Sequence, residues 1–131
     1  MNAIEPATSE DLTLSIEQRA DESILLIVSG TLDALSLPRL FNTFALIGGI
    51  DRLFIDMRRI HFCSISAVRA LTELNRRSAF RNTAVTVIAG EYLRDMFALA
   101  GRRGTIAVRH DLPEAPERSN VSRRRLALIA Q

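Results

Sequence analysis

The sequence predicts an α/β domain built on a mostly parallel sheet, and three observations carry that reading. Ile24 to Val28, Leu53 to Met57 and Ala84 to Ala89 are runs of strand length, rich in branched residues and nearly free of polar interruption, as strands covered on both faces are. A stretch with apolar residues at three- and four-residue spacing follows each run, which is helix periodicity. Strand then helix, repeated from residue 24 to 108, requires crossover connections, and these are right-handed and set neighbouring strands parallel.

In chain order, residues 1–11 are polar and acidic and read as a flexible N-terminal arm. From Leu12 to Glu17, Leu12, Leu14 and Ile16 alternate with polar residues, the pattern of a half-buried edge strand, and residues 18–23 form the turn to the next strand. The run Ile24 to Val28 is a central strand, ended by Gly30-Thr31-Leu32-Asp33. Ser36 is the expected N-cap of a helix with Pro38 in its first turn, where a missing N–H is harmless. Leu37, Leu40, Phe41, Phe44 and Ala45 give that helix its apolar face, and Gly48-Gly49 stops it.

After the strand Leu53 to Met57, Arg58 to Cys63 reads as a short loop leading into a helix through Ser64, Ile65 and Ser66. Ala67, Val68, Leu71 and Leu74 form the core-facing stripe of that helix. Arg69, Glu73 and Arg77 follow at four-residue spacing on its outer face, where two ion pairs would each add only a few tenths of a kcal/mol. The strand Ala84 to Ala89 is closed by Gly90. Leu93, Met96, Phe97 and Ala100 mark another helix with Gly101 as its stop, and Thr105 to Val108 a last strand. The domain is expected over 12–112. Residues 113–131 form a tail whose final nine residues, Arg123 to Gln131, have the pattern of a short amphipathic helix, docked or frayed.

Composition limits the function. At 131 residues and 47% hydrophobic content, one packed domain forms without disulfides or metal. No apolar run approaches the roughly twenty residues of a membrane span, so no membrane partner is expected. Met1 to Pro6 lacks the marks of a secretory signal and Cys63 is the single cysteine, so the expected location is the cytoplasm. Residues 1–49 hold seven acids and two arginines, and residues 50–131 hold eight acids and fifteen arginines. A basic half suits nucleic acid or an acidic protein, but most of these arginines are interspersed with acids, and no nucleic-acid partner is expected.

The residues offer little to catalysis. His61 and Cys63 lie two apart, yet one Cys beside one His more often marks an inert buried thiol than a nucleophile. Two histidines and one cysteine without clustered carboxylates supply no metal site. Gly101-Arg102-Arg103-Gly104 has neither the spacing nor the lysine of a phosphate loop, and Ser64 and Ser66 lack the Gly-x-Ser-x-Gly setting of a nucleophile elbow. No enzyme activity and no cofactor are expected. What remains is the start of the helix at Ser64, where a serine caps free backbone N–H groups and where a phosphate would be favoured by the same groups.

Two motifs and their order resemble the STAS domains, the anti-sigma factor antagonist family, over residues 12–112. Val28-Ser29-Gly30-Thr31-Leu32-Asp33 is similar to that family's strand end, Gly-Glu-Leu/Ile-Asp. Leu53-Phe54-Ile55-Asp56-Met57, followed by Ile60, Phe62 and Ser64 to Val68, is similar to its Leu-Asp-Leu and Val-x-Phe-x-Asp-Ser-Ser-Gly-Leu. The resemblance implies a four- to five-stranded sheet with helices packed against it, and a bacterial regulator of transcription. Such a regulator binds an anti-sigma factor, itself an ATP-binding kinase, and so frees a sigma factor. It also implies a switch, because the kinase phosphorylates the first serine of Asp-Ser-Ser-Gly and is thereby released.

Here those four positions are Ser64, Ile65, Ser66 and Ala67, and Thr31 replaces the family's glutamate. Isoleucine accepts no phosphate, so the usual switch cannot operate at Ile65. Ser64 and Ser66 are the hydroxyls left nearby, caps first and phosphoacceptors second. The expected contact surface comprises Asp33, Ser64, Ile65, Ser66 and Arg69. The alternative within the same class is a subunit of a larger assembly, a transport ATPase or a stress-signalling complex.

Overall fold

The N-terminal hairpin supplies the edge on which the sheet is built. The computed structural model describes residues 11–47, 49–77, 80–100 and 106–114 of the chain. Strand β1, Thr13–Gln18, turns through Arg19 to Ser23 into β2, Ile24–Leu32. Helix α1, Leu37–Leu46, leads to β3, Arg52–Cys63, and α2, Ile65–Thr72, runs on into a 3-10 turn at Leu74–Arg76. Strand β4, Ala84–Ile88, helix α3, Glu91–Ala100, and strand β5, Ala107–Arg109, complete the described elements.

The five strands form one sheet in the order β1-β2-β3-β4-β5, with β1 antiparallel to β2 and every later neighbour parallel. Sequential order means that each right-handed crossover steps one strand in the same direction, which puts the helices on one face. The packing shows this. The main core joins Leu26, Val28, Ile55 and Val87 of the strands to Leu40 and Phe44 of α1, Val68 and Leu71 of α2, and Leu93 and Phe97 of α3. Phe44 meets Phe41 and Phe80 edge-on at centroid distances of 5.2 and 5.5 Å. The buried rings, Phe44 and Phe80, each contribute about 1.5–3 kcal/mol of apolar burial, and Phe41 is half-buried.

The other face of the sheet carries a smaller cluster of Leu25, Phe54 and Ile88, with Ile27 and Leu112 against it. The chain after β5 therefore folds back over this helix-free face. Arg19 fastens it there, with its guanidinium 5.0 Å from the Phe54 ring centroid and donating to the Pro113 carbonyl. One glycine is fixed by geometry: Gly30 has φ +101°, and a Cβ there would lie 1.7 Å from the Asp11 carbonyl oxygen.

Several expectations are corrected. Arg58 to Cys63 is the second half of β3 and no loop. Likewise β2 continues through Gly30 to Leu32 instead of ending at Gly30. Ser36 makes no side-chain cap to α1, whose start is held by Asp33. Ala45 faces solvent, one step off the buried Leu40–Phe44 line. Helix α2 stops at Thr72, so the four-residue register of Arg69, Glu73 and Arg77 breaks. Glu73 instead faces Arg76 at 3.9 Å, and Arg77 lies over the Phe41 ring at 4.6 Å. The last strand is Ala107–Arg109. The arm over residues 1–10, the stops at Gly48 and Gly101, Gly101-Arg102-Arg103-Gly104, and the tail helix Arg123 to Gln131 lie outside the described residues.

Candidate functional site

The candidate surface forms where β2 and β3 end side by side. Between Ile27 and Thr31, β2 pairs with the stretch from Asp56 to Phe62, and the register slips twice. Ile27 pairs with Asp56 but Ser29 with Arg59, and Gly30 pairs with Ile60 but Thr31 with Phe62, so β3 carries an extra residue at each slip. Bulges of this kind re-aim side chains. Their outcome here is that Cys63, paired with Leu32, turns into the core, whereas Phe62 stands 51% exposed.

Asp56 lies at the first slip and is buried, with Arg58 two residues on holding it. Arg58 Nε and Nη2 donate to the two Asp56 carboxylate oxygens at 2.9 Å each, and the Arg58 backbone N–H adds a third bond at 3.0 Å. Burial alone would push this carboxyl up. The hydrogen bonds and charge of Arg58, with the charge of Arg59, outweigh it and hold Asp56 below the ordinary carboxylate value.

Ser64 then starts α2. Its backbone is extended at φ −77° and ψ 159°, and its Oγ accepts the Ala67 N–H at 3.1 Å, which is N-cap geometry. The Ser64 N–H donates to the Leu32 carbonyl at 2.9 Å, tying the helix start to the end of β2. Ser66 Oγ lies 3.0 Å from Ser64 Oγ. Ile65, the first helical residue, is 44% exposed, and Arg69, one turn further, is exposed beside it.

On the neighbouring turn, Asp33 and Ser36 cap each other. Asp33 Oδ1 accepts the N–H groups of Leu35 and Ser36 at 3.0 and 3.1 Å, and Ser36 Oγ accepts the Asp33 N–H at 3.0 Å. This is a capping box with serine in the usual glutamate place. The carboxylate of Asp33 is thus engaged in its own turn.

The structure brings Ser64, Ile65, Ser66 and Arg69 together on α2 and sets Asp33 at the same end of the sheet, because Leu32 and Cys63 are paired. It separates His61, which is exposed, from Cys63, which is 2% exposed. Burial pushes the Cys63 thiol up to about 12, so no thiolate is available at neutral pH. Among the described residues no three His, Cys, Asp or Glu side chains converge as metal ligands, and no helix is long and apolar enough to cross a membrane.

Sequence reasoning missed Phe62, Leu35 and Tyr92. Leu35 precedes α1 at 61% exposure and Tyr92 is the second residue of α3 at 68%, so both lie at the same edge as Ile65. A large apolar residue beside the start of each of three helices is the signal that was present.

No family model and no curated protein sequence matches the chain. Solved structures do. An anti-sigma factor antagonist from Mycobacterium paratuberculosis superimposes with a TM-score of 0.68 at 18% identity, covering 88% of this chain and 94% of that one. The anti-sigma factor antagonist SpoIIAA in its unphosphorylated form gives a TM-score of 0.52 at 19% identity, covering 86% and 96%. The fold is the STAS α/β fold, a mostly parallel sheet with helices packed against it. On the first turn of α2 this chain carries an exposed isoleucine, Ile65.

Proposed function

We propose that the protein is a non-catalytic, protein-binding regulator, an anti-sigma factor antagonist that docks through the start of α2. Its partner on this reading is an anti-sigma factor of the ATP-binding kinase type, and binding frees a sigma factor in the bacterial cytoplasm. The observation that carries the reading is Ile65, an apolar side chain 44% exposed on the first turn of a capped helix. It stands where the resemblance places a phosphoacceptor. A phosphoserine would bring charge near −2 to this surface and change its partner, whereas isoleucine keeps the contact constant. The neighbours Ser64 and Ser66 bond each other, and Ser64 Oγ is further occupied by the Ala67 N–H. Asp33 and Arg69 complete the proposed contact.

The missing acceptor also favours a second reading in the same class, a constitutive subunit of a larger assembly. Affinity capture from the producing cells, followed by identification of the bound protein, separates the two. Capture repeated with Ile65→Asp should lose the partner, and equal retention removes α2 from the interface. Incubation of the captured complex with ATP should leave the intact mass of this chain unchanged. A phosphate on Ser64 or Ser66 that dissociates the complex overturns the switch-free reading.

A further inference from the structure

Resting on that docking reading, we infer that the surface formed by Phe62 and Ile65 takes a partner protein whose own face is an apolar socket rimmed by carboxylates. The charge around the two residues is one-sided. From Met57 to Thr72 the chain holds Arg58, Arg59, His61 and Arg69 and no acidic residue. Arg58 is committed to Asp56. Arg59 and Arg69 are exposed and make no ion pair among the described residues, Arg59 acting on Asp56 through charge alone. The neighbouring turns offer Asp33 and Glu91, and Asp111 after β5 acts on Arg58 through charge while pairing with Arg109 at 3.5 Å. The Asp33 carboxylate accepts two backbone N–H groups in its capping box, and Glu91 lies in the first turn of α3.

Two bulges in β3 create the arrangement. They turn Phe62 outward next to the start of α2 and bring Arg59 to the helix-free face opposite Ser29, while Arg69 stands one helical turn from Ile65. An apolar centre with cations on two sides has the layout of a protein interface, where apolar anchors are buried and charges on the rim choose the partner. A nucleic acid would be served by the arginines but gives Ile65 nothing to bury against, and the cations flank an apolar centre instead of tracking a phosphate backbone.

The test uses the full chain and three fluorescent probes read by anisotropy. Two are amphipathic helical peptides with the same leucine face, one rimmed by glutamates and its twin by lysines, and the third is a short DNA duplex. At low salt the glutamate peptide should bind about tenfold or more tighter than its twin, and the preference should shrink as salt rises. The double variant Arg59→Glu/Arg69→Glu should abolish or invert the preference with an unchanged thermal melt, and Phe62→Ser should weaken both peptides together. Equal binding of the twins, absence of glutamate-peptide binding, or stronger binding of the duplex overturns the inference. The outcome is separable from that of the docking reading. Loss of the cellular partner with Ile65→Asp but no peptide preference leaves docking standing and removes the acidic partner; a clear preference with Ile65→Asp silent in capture removes docking through α2.

Discussion

Asp33 and Ser36 exchange hydrogen bonds, the Asp33 carboxylate accepting the Ser36 N–H at 3.1 Å and Ser36 Oγ accepting the Asp33 N–H at 3.0 Å. The pair both starts α1 and shapes the turn beside the proposed contact. Asp33→Ala should therefore cost about 1–2 kcal/mol of stability. Asp33→Asn keeps the acceptor and removes the charge, so it should be nearly neutral in urea unfolding. If Asp33 also meets the partner through its charge, Asn lowers partner affinity without lowering the urea midpoint, and the two roles part.

Gly30 admits no side chain. Its φ of +101° is strained for any L-residue, and the Asp11 carbonyl occupies the place of a Cβ. Gly30→Ala should destabilise by at least about 2 kcal/mol, read as a lowered midpoint in thermal or urea unfolding. It should also loosen Leu12, which is 2% exposed and whose carbonyl accepts a bond from Arg39 at 2.7 Å. Faster hydrogen exchange in β1 would register that loosening.

Acid should weaken the fold through Asp56 and Asp21. Burial pushes Asp21 up as well, but bonds from the Ser23 hydroxyl and N–H, with the charges of Arg52 and Arg19, leave it lowered overall. A carboxyl whose folded value is depressed contributes stability above its ordinary value near 4, and that contribution is lost as pH falls through the folded value. Asp56→Asn should reduce stability at pH 7 and flatten its decline between about pH 5 and pH 2, measured by urea unfolding at each pH. Arg58 and Arg52 are both half exposed, so the effect is smaller than for a fully buried pair.

Cys63 should resist alkylation in the native protein at pH 8 and react at once in denaturant, since it is 2% exposed with its thiol raised to about 12. The sign of the linked effect is opposite to that of the aspartates. Between the unfolded thiol value near 8.5 and 12, only the unfolded chain releases the proton, so this residue lowers stability as pH rises. Cys63→Ala should remove that alkaline loss.

The parts of the fold that rest on unbroken periodicity were legible. Branched runs located β2 and β4, and the 3.6-residue stripes located all three helices to within a few residues. The second half of β3 was not, because its two extra residues destroy the two-residue alternation and its charged residues lie on or beside the helix-free face. Arg58-Arg59 and His61 look like a loop for that reason. The cap of α1 was misassigned between two residues of the same preference, and only the hydrogen bonds distinguish Asp33 from Ser36. At the candidate site, Ile65 and its serines were placed on the surface through a motif, but Phe62 of the same motif was not, since its outward direction depends on bulges that no spacing rule reveals.

The strand order has a consequence for how the molecule is made. Each strand from β2 onward pairs with the one synthesised just before it, so a chain emerging from its N-terminus always meets an edge that is already present. The hairpin of β1 and β2 closes over a short turn and serves as template, β3 adds to it, and β4 and β5 follow in turn. The helix-free face is sealed last, when Leu112 and Pro113 leave the ribosome and reach Phe54 and Arg19. A released chain truncated before Leu112 would thus carry a complete sheet with one open side, the state in which a chaperone would find it.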